Sequence, residues 1–504
     1  MNFEPVIGIE IHVELNTKSK MFSSAPVTFG KMPNSQTVPY DLACPGTMPV
    51  VNKEAVKHGI RIATALNMTI DKLVMFDRKN YFYPDLPKGY QITQQERPIG
   101  KEGYVDIEVN GQVKRIGVER AHLEEDTAKQ LHLGEMSLID YNRAGTPLVE
   151  IVSKPDIRSG EEAMKYVEEI REIVTFLDAS DGKMEAGSLR CDVNVSIRPV
   201  GETKFGTKVE IKNLNSIANV RAAIDYEVKR QSELILSGDV VRQETRRYDE
   251  SKKCTSLMRV KTNAIDYKYF REPNIVPIQL SDEFVNETIR TMNKLPKQYK
   301  KELMEEGLSK YETEQLILNK SFVEYFNECL KLNVKSLKIL WNFLLGDISA
   351  YINKEMLTLN DLKFTKQNLV DLVNLLSDSK INSKQAKEVM GLMIKDGADP
   401  LKVIKDLGLE QVSDEGEVLK IVKEVLANNA QSIQDYKNGK DKALGYIVGQ
   451  VMKASRGKAN PSLAKELVLK EIGELNWTSL FFWEQIINFR LSNFLKTFQK
   501  TPLI

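Results

Sequence analysis

Cysteine is scarce in this chain. Cys44, Cys191, Cys254 and Cys329 are the only four, far apart and with no C-x-x-C pair. That spacing excludes a disulfide framework and a four-cysteine zinc site, and it fits a reducing cytoplasm. Histidine is equally scarce, at four residues, which argues against a histidine-rich metal centre. An excess of either charge is missing as well: Lys+Arg 71 against Asp+Glu 70 gives a formal net charge of +1. The whole molecule is therefore no generic polyanion binder, and any nucleic-acid contact has to come from local basic patches. No apolar run reaches the roughly 18 residues of a membrane-spanning helix. The N-terminus has no basic start followed by an apolar core, so no signal peptide is expected. There is no G-x-x-x-x-G-K-[ST], so any ATP site is not a P-loop. Nor is there a G-x-S-x-G elbow or a serine- and glycine-rich run of the amidase kind. Cys191 and Cys254 read as ordinary partly buried thiols rather than nucleophiles.

What is present falls into two styles. The 504 residues suffice for two to four domains. To about residue 290 the pattern is mixed α/β. Gly100, Gly103 and Gly111 bracket a strand Tyr104–Val109, and Asn110-Gly111 predicts a hairpin turn. A helix follows Ser159, with Ala163, Val167, Ile170, Val174 and Leu177 on one face, and another covers about 216 to 237. From about 294 the alternation fades and helical segments dominate, with Trp341, Phe343, Leu344 and Ile348 as expected core. A second helical unit begins near Val412, where Asp414 and Glu417 form a capping pair ahead of Leu419, Val422 and Leu426. Asn460-Pro461 starts a helix carrying Leu463, Leu467 and Val468.

The chemistry begins at Val6–Leu15. Its strict alternation predicts a half-buried strand with Glu10, His12 and Glu14 on one face. Arg190–Arg198, Lys208–Lys212 and Ala121–Asp126 repeat the pattern. If these strands share a sheet, Glu10, His12, Glu125, Asp192 and Glu210 converge on one face. Clustered carboxylates need a counter-charge, and Mg²⁺ or Mn²⁺ suits an oxygen-rich set. The plainer alternative is a set of unrelated solvated faces joined by salt bridges to Lys208, Lys212 and Arg198. The stretch Phe76–Tyr90 mixes basic and aromatic residues around two prolines. Its cations could hold phosphate and its rings could stack on bases, although by composition alone a packed loop is the better reading.

Ile139–Val152 (IDYNRAGTPLVEIV) closely resembles the signature of GatB, the B subunit of the tRNA-dependent amidotransferases. The Val6–Leu15 strand, the Arg78–Tyr90 loop, Lys183–Asp192, Glu244–Arg247, Asp266–Phe270, Gly449–Lys453 and Gly457–Pro461 match the same family. The resemblance covers roughly residues 1 to 472. It implies an α+β architecture: a mixed α/β cradle on an antiparallel-rich sheet, then an all-α helical domain and a small all-α tail. The corresponding boundaries are 1–293 for the catalytic cradle, 294–407 for the helical domain, 408–475 for a YqeY-like tRNA-binding tail, and 476–504 for an extension of unknown role.

The resemblance also implies a reaction. ATP phosphorylates the side-chain carboxylate of Glu-tRNA(Gln) or Asp-tRNA(Asn), and ammonia from a separate amidase subunit displaces the phosphate. A third, small subunit completes a heterotrimer. The chain is thus expected to be part of a ligase forming a carbon–nitrogen bond with glutamine as nitrogen donor, cytoplasmic and without membrane contact. On this reading ATP and Mg²⁺ (or Mn²⁺) are required. Lys79, Arg78, Glu125 and Asp192 are the catalytic candidates. Arg78, Asn80, Tyr81, Lys88 and Lys208 would bind nucleotide or substrate. Glu10, His12, Glu125, Glu210, Glu124 and Glu150, with Asp192, are the metal candidates. Lys79, Lys88, Asp192 and Glu125 could line an ammonia passage.

In the tail, Lys437, Lys440, Lys442, Lys453, Arg456 and Lys458 would contact tRNA phosphates, the alternative being solvated helix ends. Many members carry a zinc-binding cysteine quartet where this chain has Ser23, Ala25, Val38 and Asp41, so no zinc is expected. The large insertion of the related archaeal subunit has no room here. Beyond about 473, Trp477, Leu480, Trp483, Ile487, Leu491, Phe494 and Phe498 recur at helical spacing, which suits a docking helix better than a membrane surface. Two other functions compete: a non-catalytic tRNA-binding scaffold and, more distantly, a metal-dependent phosphohydrolase. The acidic strand faces separate the scaffold from the ligase, since a scaffold needs lysines and aromatics but not Glu10, His12 and Glu125 together, and a phosphohydrolase would act without the amidase and small subunits.

Overall fold

Alternation along the first segment produces β1 (Phe3–Glu14), the middle of a nine-stranded sheet in the computed structural model. The structure describes residues 2–260, 266–409, 415–455 and 459–473. Two compact units emerge, 1–302 and 303–504. In the first, the remaining strands are β2 (Thr69–Ile70), β3 (Leu73–Val74), β4 (Asp77–Asn80), β5 (Tyr90–Thr93), β6 (Gly100–Val109), β7 (Gln112–Glu125), β8 (Lys129–Leu133) and β9 (Met136–Asp140). They continue with β10 (Pro147–Ser153), β11 (Leu189–Pro199), β12 (Val209–Lys212), β13 (Glu244–Asp249), β14 (Cys254–Val260), β15 (Phe270–Arg271) and β16 (Ile278–Gln279). The large sheet runs β14-β13-β12-β11-β1-β10-β7-β6-β2, and only β12 and β13 pair in parallel. A small sheet, β15-β4-β5, carries the basic and aromatic stretch.

One face of the large sheet is dry. Ile9 pairs with Val193, and Ile11 lies between Cys191 and Ile151; all five are buried. Three helices supply the rest of this core: α1 (Lys53–Ala65), α2 (Gly160–Phe176) and α3 (Ile217–Leu236), through Ile60, Ile62, Tyr166, Ile170 and Val220. Each starts at a side-chain cap. Asn52 accepts from the Glu54 and Ala55 amides, Ser159 from Glu162, and Ser216 from Asn219. Burying a large aliphatic side chain contributes roughly 1.5–3 kcal/mol, so this face fixes the register of the whole sheet.

Two glycines play a different part from the one expected. Gly100 and Gly103 do not bracket a strand; they lie inside β6. A Cβ at Gly103 would come within 2.4 Å of the Leu66 carbonyl oxygen and of Met68 Cγ. Close approach of the segment after α1, rather than turn formation, requires glycine there. Asn110 and Gly111, at φ 52° and 75°, make the expected two-residue turn between Val109 and Gln112.

Where the family's zinc cysteines would lie, Asp41 accepts from Ser23 Oγ at 2.8 Å and from the Val38 amide at 3.0 Å. Asp41 also pairs at 3.2 Å with the fully buried Lys20. A polar network thus ties this loop to Lys20 in the segment after β1.

The second unit is helical. After α4 (Asp282–Arg290) and α5 (Pro296–Glu305) come α6 (Lys310–Ile317), α7 (Lys320–Leu330) and α8 (Leu337–Asn342), which runs into a π-helical stretch, Phe343–Ile348. Next are α9 (Ser349–Glu355), α10 (Lys366–Ser377), α11 (Ser383–Asp396) and α12 (Pro400–Asp406). Phe343, Leu344 and Ile348 are buried, as expected; Trp341 is only partly so, and its indole N–H donates to the Glu312 carbonyl at 2.9 Å. In α13 (Glu415–Ala427), α14 (Ala430–Lys437), α15 (Asp441–Ala454) and a helix over 461–473, a separate core forms from Val418, Val422, Leu426, Ile447, Val451, Leu467 and Val468. Asn460 caps the last helix, accepting from the Ser462 and Leu463 amides. The expected cap at Asp414, the tail residues Arg456 and Lys458, and the aromatic stretch beyond 473 lie outside the described residues.

Candidate active site on the polar face of the sheet

The period of two that buries Ile9, Ile11 and Val13 turns Glu10, His12 and Glu14 to the opposite face. Register then brings other polar residues alongside. Glu10 lies opposite Asp192, and His12 lies between Arg190 and Glu150. On the next strands Glu150 faces His122, and Glu124 faces Leu148. On the other side Asn194 pairs with Glu210. Directly opposed residues have Cβ atoms only about 4.5–5.5 Å apart, so these side chains must interact.

At the centre two imidazoles alternate with two carboxylates. His12 Nε2 is 3.2 Å from Glu150 and 3.6 Å from Glu124. His122 Nε2 is 3.3 Å and 3.7 Å from the same two residues. Burial works against an imidazolium, but Glu150 and Glu124 outweigh it and push His12 up to about 9. His122 is raised for the same reason. Against burial, the two imidazoles hold Glu150 ionised well below the usual carboxylate range. His12, Glu124 and Glu150 each offer one ligand atom, all within 4.8 Å of one another. Two oxygens and one nitrogen form a donor set that suits a small divalent cation of the Mg²⁺ or Mn²⁺ kind. In the absence of such a cation the His12 proton supplies the positive charge.

Cations and rings cover this centre. Lys79 on β4 is depressed by burial, yet Glu124, the Tyr269 phenol and Glu150 hold its ammonium above the ordinary lysine value. Its Nζ lies 5.0 Å from the Tyr267 ring centroid and 5.9 Å from that of Tyr81. A second acidic group sits beside it. Burial, then Glu150 and Asp192, raise the Glu10 carboxyl, which accepts from Asn194 at 3.1 Å. Lys212 bridges Asp192 and Glu210, the latter at 3.6 Å. Glu14 is raised by burial and by Asp126, which is bound by Arg190 at 2.7 Å.

The expected convergence therefore needs correcting at Glu125. Along β7, Ala121 and Leu123 are core residues, so Glu125 shares their parity and turns away from Glu10 and His12. Its carboxylate instead takes Lys88 at 2.7 Å and the Ile92 amide at 3.0 Å. Glu124 and the unanticipated His122 hold the central positions. The alternation Ala121-His122-Leu123-Glu124 carried that signal.

Arg78 also departs from expectation. It forms a bidentate pair with the fully buried Glu272, at 2.5 and 3.0 Å, and stacks on Tyr90 at 4.0 Å. Its charge is spent inside the protein, on the far side of β4 from Lys79. Asn80 donates to the Lys268 carbonyl at 2.8 Å, tying the loop that carries Tyr267 and Tyr269 to β4. Tyr81 packs edge-on against Tyr267 at 5.9 Å. Lys208 is exposed just before β12. In the other unit, Lys437, Lys440, Lys442 and Lys453 are all exposed on α14, α15 and the turn between them.

Two family models match the chain. Residues 5–286 match the GatB/GatE catalytic domain, and residues 324–472 match the GatB domain. Among curated relatives, the B subunit of the aspartyl/glutamyl-tRNA(Asn/Gln) amidotransferase of Geobacillus thermodenitrificans is 51% identical over 476 residues, covering 94% of this chain and 100% of the relative. The protein of the same description from Staphylococcus aureus MRSA252 is 51% identical over 473 residues, covering 94% and 99%. That from Bacillus licheniformis is 50% identical over 476 residues, covering 94% and 100%.

Proposed function

This chain belongs to the GatB family, the B subunits of tRNA-dependent amidotransferases, and we propose that the polar face of its large sheet is where a tRNA-borne carboxylate is activated and amidated. It is one subunit of a glutamine-dependent ligase that forms carbon–nitrogen bonds in translation. The substrates are Glu-tRNA(Gln), Asp-tRNA(Asn) or both, following the description its relatives carry. The single observation behind the site assignment is the cluster of His12, Glu124 and Glu150, whose ligand atoms lie within 4.8 Å of one another, with the Lys79 ammonium favoured by both carboxylates.

A carboxylate is a poor acyl donor because it has no leaving group. Attack of one carboxylate oxygen on the γ-phosphorus of ATP expels ADP and makes that oxygen part of a phosphate. Ammonia then adds to the acyl carbon, the carbon–oxygen bond to phosphate breaks, and the amide nitrogen releases its surplus proton to water. Phosphoryl transfer asks for positioning and charge neutralisation more than covalent help. His12, Glu124 and Glu150 would hold Mg²⁺ or Mn²⁺, which supplies charge neutralisation for phosphoryl oxygens when bound. Lys79 places a cation on the same side, steadied by the faces of Tyr267 and Tyr81. Glu10, Asp192 and Glu210, linked through Lys212 and Asn194, extend the acidic face along β11 and β12. The Lys88–Glu125 pair borders a narrow cleft with Asp85 and Asp126, and we assign these polar groups to the lining of the ammonia passage.

We assign 1–293 to the catalytic cradle, 294–407 to the helical domain and 408–475 to the tail, whose lysines provide phosphate contacts. The relatives' description as one lettered subunit of an amidotransferase implies a multi-subunit enzyme, which we extend to a heterotrimer with an amidase and a small third subunit. Because the reaction acts on aminoacyl-tRNA, we place the chain in the cytoplasm; no helix among the described residues is long and apolar enough to cross a membrane.

The test is isotopic. Glutamyl-tRNA labelled with ¹⁸O in the side-chain carboxylate is incubated with the reconstituted complex, ATP, Mg²⁺ and ammonium. One ¹⁸O atom appears in inorganic phosphate for each amide formed. Amide formation with unlabelled phosphate contradicts the phosphorylated intermediate.

A further inference from the structure

Lys79 is the cation beside the acidic centre, and its own contacts do little to place it. Its Nζ faces the Tyr267 and Tyr81 rings, and among the described residues it makes no hydrogen bond or ion pair. A lysine stem is long and flexible, so the strand beneath it and the rings around it must do the placing.

β4 is held on both sides of Lys79. Alternation puts Asp77 on the same face as Lys79, and Arg78 and Asn80 on the other. The buried Asp77 accepts from the Gln95 and Glu96 amides at 2.8 and 3.0 Å. The Asn80 amide donates to the Tyr267 carbonyl at 3.0 Å. Arg78 reaches furthest. Its guanidinium lies 4.0 Å from the ring centroid of Tyr90, at the start of β5, and 5.7 Å from that of Phe270, on β15. It then closes on both oxygens of Glu272, whose amide donates to the Phe76 carbonyl at 2.9 Å. The Asn274 amide donates to the same carboxylate at 2.8 Å.

These links matter because β15 has only two residues, too few to stay paired on backbone hydrogen bonds alone. Its register sets the other face. Phe270 lies opposite Arg78, so Tyr269, one residue earlier, falls on the Lys79 side. Tyr267 packs on Tyr269, with ring centroids 6.0 Å apart. Without Arg78 the Glu272 carboxylate is buried and uncompensated, and the segment that carries both rings has to move.

We propose that the Arg78–Glu272 pair positions Lys79 for the activation step, an inference that rests on the reading of that step given above. By locking β15 to β4, the pair fixes the rings that keep the Lys79 ammonium on the side of Glu124 and Glu150. Neither Arg78 nor Glu272 touches the reacting atoms; both act through Lys79.

The test uses the full chain in its reconstituted complex, with ammonium as nitrogen donor and Glu-tRNA(Gln) as substrate. Glu272→Gln keeps the size and removes the charge, whereas Arg78→Lys keeps the charge and removes the fork. Each is expected to lower kcat about tenfold, with KM for ATP, ammonium and tRNA within about twofold of wild type. Lys79→Ala is expected to lower kcat about a hundredfold, and adding Glu272→Gln to it costs no more than about a further twofold. A second readout does not depend on turnover. In protein carrying ¹³C-labelled lysine, the Lys79 ε-methylene signal, assigned by its loss in Lys79→Arg, is displaced by the ring current of Tyr267. In both pair variants it moves toward the other lysine signals. Wild-type kcat in folded Glu272→Gln and Arg78→Lys overturns the proposal. So does a Glu272→Gln penalty that persists in full beside Lys79→Ala, or a Lys79 signal that stays in place. Should Glu272→Gln fail to fold, Arg78→Lys decides by the same readouts. If Lys79→Ala keeps wild-type kcat, the activation reading fails and takes the pair's part in catalysis with it. A moved Lys79 signal then still supports the placing of Lys79 by the pair, and an unmoved one overturns it.

Discussion

Replacing Glu150 with glutamine removes the carboxylate shared by His12 and His122, at 3.2 and 3.3 Å, while keeping the side chain's size. A His12 value raised from 6.5 to about 9 corresponds to roughly 3 kcal/mol in favour of the imidazolium. The His12 side chain is 22% exposed, so little discount for solvent is needed. Glu150 supplies the largest of the raising contributions, by hydrogen bond and by charge, so its removal should bring His12 down toward its ordinary value. In metal-free protein, ¹³C-edited titration of four histidines resolves the change. His12 titrates near 9 in wild type and at least one pH unit lower in Glu150→Gln. The stability consequence has a definite sign. A value raised on folding stabilises fully below the unfolded 6.5 and is lost as pH climbs through about 9. Glu150→Gln is therefore most destabilising near pH 6, and the part due to His12 vanishes above about 9. Titration of His12 near 6.5 in wild type would refute the reasoning, because the two carboxylates would then not be shaping a cation site.

Three further expectations concern the scaffold. Glu227 is fully buried and holds Arg230 at 2.6 Å and Arg246 at 3.7 Å beside Glu244, which takes the same two groups at 3.1 and 2.8 Å, so Glu227→Ala leaves them one carboxylate instead of two and should cost about 1.5–3 kcal/mol in denaturant unfolding. Gly103→Ala drives a methyl group against the Leu66 carbonyl at 2.4 Å and is expected to lower stability by about 1–3 kcal/mol, seen as a reduced Tm. Asp71 is lowered from 3.8 to about 2, since hydrogen bonds from Arg97 and Lys101 outweigh its burial, so the stability it adds is present above 3.8 and lost as pH falls through about 2. Asp71→Asn should accordingly unfold more readily than wild type at pH 7 and match it near pH 2.

Alternation makes much of the site legible in the sequence. It marks the two faces of β1, β11 and β12, and it puts Glu10, His12, Asp192 and Glu210 on the polar one. At β7 the same rule, applied from Ala121 and Leu123, selects His122 and Glu124. The density of acidic residues instead puts Glu125 ahead of Glu124 and leaves His122 unmarked. Other features have no local signature. Arg78 and Glu272 are separated by 194 residues, so nothing near Arg78 tells that its charge is neutralised. Tyr267 and Tyr269 reach Lys79 only because β15 pairs with β4. Gly103 reads as punctuation in sequence and becomes a packing requirement only when Leu66 and Met68 arrive beside it. In the helical unit, an apolar run marks Phe343 and Leu344 as core, whereas a groove beside Gly346 depends on how α10 and α11 pack.

The central claim is that this chain's own polar sheet face performs the activation step. The most direct measurement is ATP-dependent formation of glutaminyl-tRNA by the complex reconstituted from this chain, the amidase and the small third subunit. Free ammonium serves as nitrogen donor, so that the amidase is bypassed. Wild type is compared with His12→Ala and Glu124→Ala. The account predicts product with wild type and loss of at least roughly a hundredfold in both variants, with complex assembly and tRNA binding retained. Full activity in both variants would contradict it and leave the face a structural one.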